Sequence, residues 1–341
     1  MSEAAQVLNG SAVPQELIQM IIAHLVSRVV HLAATLKLSD LLSDGSKSAE
    51  ELADATGTNS KALYRIMRTL ASLGLYTEDT EQRFSLKPLG EALKSGTAGH
   101  ATALMVAGDV FNRPLDQLLY SVETGNPAFE KVFGAPAFEW LAKHPVEASL
   151  FSKTMVGFHG GEPPAIAAAY DFSKFKTIVD VGGATGNLLS TILARYSSPR
   201  GVLFDLPHAV NDAAALLRER GVEDRVEVRA GNFFQTVPSD ADAYILSHVI
   251  HDWSEEQCLI ILGHCRRAIS PAGRLLLVEM VLPSGDTPHP GKLTDILMLN
   301  LPGGQERTEP EYRALLAKAG FHLVKVVPTE SAASVVEAVP A

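Results

Sequence analysis

The chain has 341 residues, 46% of them hydrophobic, and a formal net charge of −10. That length favours two domains over one, and the apolar content allows a sizeable core. Nucleic acid and anionic membranes both need basic patches, so an acidic chain of this kind is expected to bind neither.

Taken in chain order, residues 1–10 lack the basic start and apolar stretch of a secretory signal. Residues 17–42 begin with apolar side chains at helical spacing (Leu17, Met20, Ile21, Leu25) and continue apolar nearly all round. His24, Arg28, His31 and Lys37 make this stretch too polar for a bilayer span, so it reads as a buried helix. A helix apolar on most sides must be covered on most sides, and a second subunit is a natural cover. Ser48 with Glu51 is a capping box opening the next helix, which Gly57 ends. Asn59 opens another through Leu73, and 75–77 with 83–86 read as a hairpin. This is a winged-helix order. Its two readings are a DNA-binding module and a dimerisation or substrate-covering module, and the acidic balance favours the second.

Residues 101–170 read as connecting helices, broken by a turn at 125–129. From Lys176 apolar strand-like runs alternate with helices, at 177–181, 201–205, 225–230, 243–247 and 274–281. That alternation predicts a doubly wound parallel sheet. Two more strands, 321–328 and 334–339, close the chain. The expected organisation is 1–100, a winged-helix-like dimerisation domain; 101–170, a helical connector; and 171–341, a Rossmann-like α/β catalytic domain. Cys258 and Cys265 lie in one helical stretch and fit neither a zinc cluster nor a disulfide framework. They are expected to be reduced, the compartment to be the cytoplasm, and no metal site is expected.

The strand 177–181 runs into a glycine-rich turn carrying Asp180, Gly182, Gly183, Ala184 and Gly186. Glycine there lets backbone approach a ligand closely. The spacing differs from the dinucleotide fingerprint, and Asp180 suits a cationic ligand better than a pyrophosphate. Asp205, at the end of the next strand, is placed to accept from both hydroxyls of a ribose. Asn232 and Phe233 follow the third strand, where a polar side chain beside an aromatic ring can read and cover an adenine. A loop-capping asparagine is the alternative. His251 and Asp252 follow the fourth strand, at the carboxyl edge where open α/β sheets bind ligands. Ser254 with Gln257 starts the helix behind them. Glu279 stands late in an apolar strand, where burial costs several kcal/mol unless the group is paired (of order 3–5). Glu306 follows Gly303 and Gly304. Two carboxylates from successive edge loops can converge on His251 and stabilise its protonated form. His248, closer to the strand, is expected to point elsewhere and pack.

These runs (179–186, 204–207, 231–234, 251–253, 278–279 and 303–308) make the chain resemble the plant caffeic-acid-type and bacterial small-molecule O-methyltransferases over nearly its whole length. The resemblance implies S-adenosylmethionine as cofactor, a hydroxylated aromatic acceptor and a homodimer. It implies His251 as general base flanked by Glu279 and Glu306. It places the cofactor on Asp180, Gly182, Gly183, Asp205, Leu206, Asn232, Phe233 and Ser247. Met155, Asp252 and Asp295 fall where the family has pocket residues. Four positions depart from the pattern: Asn232 replaces an aspartate, Ala184 a glycine, Ser247 a lysine and Arg113 an aromatic residue. Two other functions share these features, a ligand-sensing regulator and a non-methylating member of the fold. Acidity argues against the first, and the retained His251, Glu279 and Glu306 against the second.

Overall fold

The structure, a computed structural model, describes residues 13–211, 213–239 and 241–341. Residues 1–10, read above for a leader, lie outside the described residues. The described chain forms two compact units. One comprises the chain up to Asn112 with His144–Gly157, the other Arg113–Lys143 with Phe158–Ala341. The stretch 101–170 is therefore divided between the two units.

In the first unit the long apolar helix spans Gln15–Thr35 and ends before Lys37, whose φ of 52° is left-handed. A short helix, Leu38–Leu41, follows. The helix Ala49–Thr56 starts at the Ser48–Glu51 capping box and stops at Gly57, whose φ of 66° suits only glycine well. Asn59 caps Ser60–Ser72 by accepting from the Ala62 N–H. Lys47–Ser48, Arg83–Leu86 and Tyr76–Glu78 pair antiparallel as a three-stranded wing. Leu52, Leu63, Met67, Leu70, Tyr76 and Phe84 form the core of this unit.

The first helix corrects one expectation. Only Ala33 and Ala34 on it are buried, while Leu17, Met20, Ile21, Ile22, Leu25 and Val26 are exposed. By length and composition alone Gln15–Thr35 is long and apolar enough to cross a membrane, a test that core helices of soluble proteins also pass.

The second unit is built on a seven-stranded sheet: β1 Thr177–Val181, β2 Arg200–Asp205, β3 Val226–Ala230, β4 Ala243–Ser247, β5 Arg274–Glu279, β6 Phe321–Pro328 and β7 Ser334–Pro340. Their order is β6-β7-β5-β4-β1-β2-β3. The first five strands are parallel, whereas β7 runs antiparallel to both β5 and β6. The sheet is thus mixed. A short turn can join only antiparallel neighbours, and a parallel return needs a crossover. Apolar clusters cover both faces, which is why the central strands read as continuous apolar runs. The order reverses at β1, whose neighbours are β4 and β2. Ligands bind at such a switch point, at the carboxyl ends of the strands. Cys258 and Cys265 are free and buried in the helix Glu255–Ala268.

Candidate active site

The loop after β1 and the loop after β4 meet at this switch point. Gly182 has a φ of +74°, and a Cβ there would come within 2.8 Å of Val249 Cγ2. Only glycine satisfies both constraints. Ala184 takes a φ of 48° without glycine's freedom, a costly conformation for a residue with a Cβ. Asp205 holds it: the carboxylate accepts from the Ala184 N–H at 2.9 Å and from the Leu206 N–H at 2.6 Å. Burial raises the Asp205 pKa, and these two hydrogen bonds oppose that shift. Its remaining lone pairs are free for a sugar's hydroxyls.

Asp180 lies elsewhere than expected. It is buried beneath the loop with neither carboxylate oxygen hydrogen-bonded, and a Cβ on Gly183 would strike it at 2.6 Å. Burial, and then the charge of Asp205, push its pKa up to about 7. It therefore shapes the loop from below and offers a ligand no exposed face. Asn232 takes the alternative role weighed above: its side-chain oxygen accepts from the Phe234 N–H at 2.9 Å. Phe233 packs with Phe234 and Trp253 beside the Gly182 loop. Ser247 ends β4, and Leu206 is exposed at the end of β2.

His251 sits on a single 3₁₀ turn, Ile250–Asp252, and is buried. Its Nδ1 lies 2.9 Å from Glu306 Oε1 and 3.5 Å from Glu279 Oε2, while Nε2 lies 3.6 Å from Asp252 Oδ1. A carboxylate accepts, so the proton of the neutral ring belongs on Nδ1 and the lone pair on Nε2. Burial lowers the His251 pKa, and Asp252 opposes that shift. Glu279 does more than flank the ring: its Oε1 accepts from the Ile250 N–H at 2.9 Å and so fixes the turn. Burial and then the charge of Glu306 push the Glu279 pKa well above the usual carboxylate range. Burial raises Glu306 to about 7 and Asp252 to about 6. Two carboxylates facing one imidazole nitrogen cannot both ionise cheaply, so Glu279 keeps its proton and Glu306 loses its own first.

Two glycines and an aspartate complete the mount. A Cβ on Gly304 would lie 1.9 Å from the His251 carbonyl oxygen, so only glycine lets the 303–306 loop lie against that turn. Gly303 has a φ of +87°. Asp295 accepts from the Glu306 N–H at 2.8 Å, which makes it a support for Glu306. Met155 lies on the helix Pro145–His159, in the part assigned to the first unit.

Three contributors went unread in the sequence. Buried Arg307 donates to the carbonyls of Ile250 and Gln305, clamping the His251 turn from behind. Glu162 and His159 were missed altogether, and His248, expected to pack, does stack on a neighbouring ring but is also bonded to Glu162. His248 Nε2 lies 2.6 Å from Glu162 Oε2, and the ring stacks on His159 at 3.8 Å between centroids. Glu162 is charged and buried just after Gly160 and Gly161, a pattern that signals a partner. Ligating atoms of His159, Glu162 and His248, and of His248, His251 and Glu279, lie within 4.8 Å of one another. The first trio does not suit a metal. Its imidazoles are stacked with only 30° between planes, so an ion at a usual distance of about 2 Å would lie far out of each ring plane. In the second, Glu306 already occupies His251 Nδ1.

A glycine loop, a ribose-type acid and an imidazole–carboxylate cluster at the switch point of a mixed seven-stranded sheet define an S-adenosylmethionine-dependent methyltransferase. Residues 116–322 match the O-methyltransferase domain family, and residues 18–96 the O-methyltransferase dimerisation domain. The phenazine O-methyltransferase PhzM of Lysobacter antibioticus is 43% identical over 97% of this chain and 98% of its own. The crystal structure of LaPhzM superposes with a TM-score of 0.90 at 44% identity, over 96% of this chain and 100% of that one. The O-methyltransferase NcsB1 from neocarzinostatin biosynthesis, in complex with S-adenosylmethionine and 2-hydroxy-5-methyl naphthoic acid, superposes with a TM-score of 0.80 at 32% identity, over 93% and 96%. The chain belongs to the small-molecule O-methyltransferase family. It uses S-adenosylmethionine to methylate small molecules of secondary metabolism. The Gly182 loop, the lone pairs of Asp205 and the Phe233 ring fit that cofactor, with the Asn232 carbonyl already engaged by the backbone.

Proposed function

We propose that the acceptor is a hydroxyl group on an aromatic metabolite and that His251 is the general base. The observation that carries this reading is the 2.9 Å contact between His251 Nδ1 and Glu306, which leaves Nε2 as the free base. A phenol has a pKa of about 10 and is a poor nucleophile while protonated. His251, held neutral by burial, takes the hydroxyl proton on Nε2 as the oxygen attacks. Glu306 then faces an imidazolium and stabilises it. S-adenosylmethionine supplies the electrophilic methyl group. The phenazine and hydroxynaphthoate named for the two relatives support a fused or substituted aromatic acceptor.

The exposed apolar face of Gln15–Thr35, within the dimerisation-domain match, supports a homodimer that covers it. The two buried, free cysteines fit a reducing cytoplasm. The acidic chain supports no role on DNA.

Methyl transfer from labelled cofactor to a panel of hydroxyphenazines, hydroxybenzoates and hydroxynaphthoates tests the acceptor class. On an acceptor so found, His251→Ala is expected to lose about 10²–10⁴-fold in kcat, with cofactor affinity within a few-fold. Near-full turnover at neutral pH would refute the base assignment.

A further inference from the structure

The family reading accounts for His251, Glu279 and Glu306 and leaves a second buried polar cluster beside them. Glu162, the first residue of the helix Glu162–Ala169, faces two imidazoles with one oxygen: His248 Nε2 at 2.6 Å and His159 Nδ1 at 3.3 Å. Burial raises the pKa of this carboxyl, but the two imidazoles beside it, His248 by its hydrogen bond, outweigh that and hold the value at about 2. At neutral pH Glu162 is therefore a carboxylate. It can only accept, so the His248 proton must sit on Nε2 and the lone pair on Nδ1.

That lone pair faces Glu279. His248 Nδ1 and Glu279 Oε2 are both buried without a hydrogen-bond partner, and they lie 4.0 Å apart. The gap is too small for a water, and a side-chain shift of roughly 1 Å closes it to hydrogen-bond length. The other neighbour of Glu279 Oε2 is His251 Nδ1 at 3.5 Å. A protonated Glu279 satisfies both rings with that one oxygen. Its O–H donates to His248, and its remaining lone pair takes the longer arm of the His251 Nδ1–H, whose shorter arm goes to Glu306. His248 also has a φ of 52°, unusual for a residue with a Cβ, and its N–H donates to the Val278 carbonyl. The surrounding structure holds this ring in place against that backbone strain.

We propose that Glu162 is a positioning residue: by holding His248 as the Nε2–H tautomer it orients the Glu279 proton toward His248 and so, together with Glu306, keeps the Nε2 of His251 free as the base. The inference rests on the reading of His251 as base. It adds a chain of proton placement running Glu162, His248, Glu279, His251. Without the Glu162 acceptor, His248 can move its proton to Nδ1 and donate to Glu279. Glu279 must then turn its own O–H against the Nδ1–H of His251, and the ordering of the base is lost.

Nitrogen-15 NMR of the full-length enzyme labelled in histidine reads each tautomer with no acceptor present, and His248→Asn identifies the His248 signals. In the wild type, His248 is expected to carry its proton on Nε2 and His251 on Nδ1. Glu162→Ala is expected to shift His248 toward the Nδ1–H form and to move the His251 signals with it. Glu162→Gln, whose amide oxygen can accept the same bond, is expected to restore the wild-type pattern. A merely structural role would leave the His251 tautomer unchanged. A wild-type His248 protonated on Nδ1, or a Glu162→Ala enzyme with unmoved His251 signals, would overturn the proposal. The wild-type spectrum decides even if Glu162→Ala does not fold. Either result leaves the base assignment to its own test, the turnover of His251→Ala.

Discussion

Glu306→Gln separates the charge of Glu306 from its shape. Glu306 Oε1 is 2.9 Å from His251 Nδ1 and the pair is buried. The glutamine oxygen can still accept that N–H, so the ring stays oriented, but the imidazolium formed during proton transfer loses its counter-charge. A hydrogen bond to a charged group contributes about 1.5–3 kcal/mol, so kcat should fall by about 10- to 150-fold where wild-type Glu306 is ionised. The pH dependence carries a sign. Burial pushes the Glu306 carboxyl up to about 7. Below that pH the wild type protonates Glu306 and loses the same stabilisation, so its kcat falls as pH falls through 7. The variant has no carboxyl at position 306 to titrate, and its kcat should lack the Glu306 limb near pH 7. The gap between the two enzymes should therefore be widest at alkaline pH and narrow in acid. Burial lowers the His251 pKa, so protonation of the base itself sets in at lower pH. Steady-state kcat with labelled cofactor, measured from about pH 6 to 9, reads this directly. A variant that keeps the limb near pH 7, or matches wild-type kcat at alkaline pH, would refute the reasoning.

Asp205→Ala removes a carboxylate that braces Ala184 and whose free lone pairs are expected to meet a ribose, so calorimetry should show S-adenosylmethionine binding weakened by about ten- to a hundredfold. Gly304→Ala puts a methyl 1.9 Å from the His251 carbonyl oxygen. Thermal unfolding should show a loss of about 1–3 kcal/mol, with kcat falling as the His251 turn is displaced. Ile21→Glu with Leu25→Glu places two charges on the exposed apolar face of Gln15–Thr35. Light scattering should then find monomer where the wild type is expected to be a dimer, with helical content unchanged by circular dichroism.

Local features were legible in the residues alone. Capping at Ser48, Asn59 and Ser254 depends on atoms three residues apart, and it appears where read. The apolar strand runs and the glycine turn after β1 follow from periodicity and from backbone that only small residues adopt. His251, Glu279, Glu306 and Asp205 were marked by polar chemistry at strand ends. Tertiary structure decided the rest, because each remaining feature depends on what lies across space. The sheet became mixed when β7 slid between β5 and β6. The helix Gln15–Thr35 proved exposed because none of the described residues covers its apolar face. Asn232 was claimed by the backbone two residues on, and Asp180 was buried beneath the glycine loop. Glu162 and His248 are distant in sequence and show no shared spacing. They meet only because the helix Glu162–Ala169 and the loop after β4 reach the same edge of the sheet, where burial makes one short hydrogen bond fix where the proton sits.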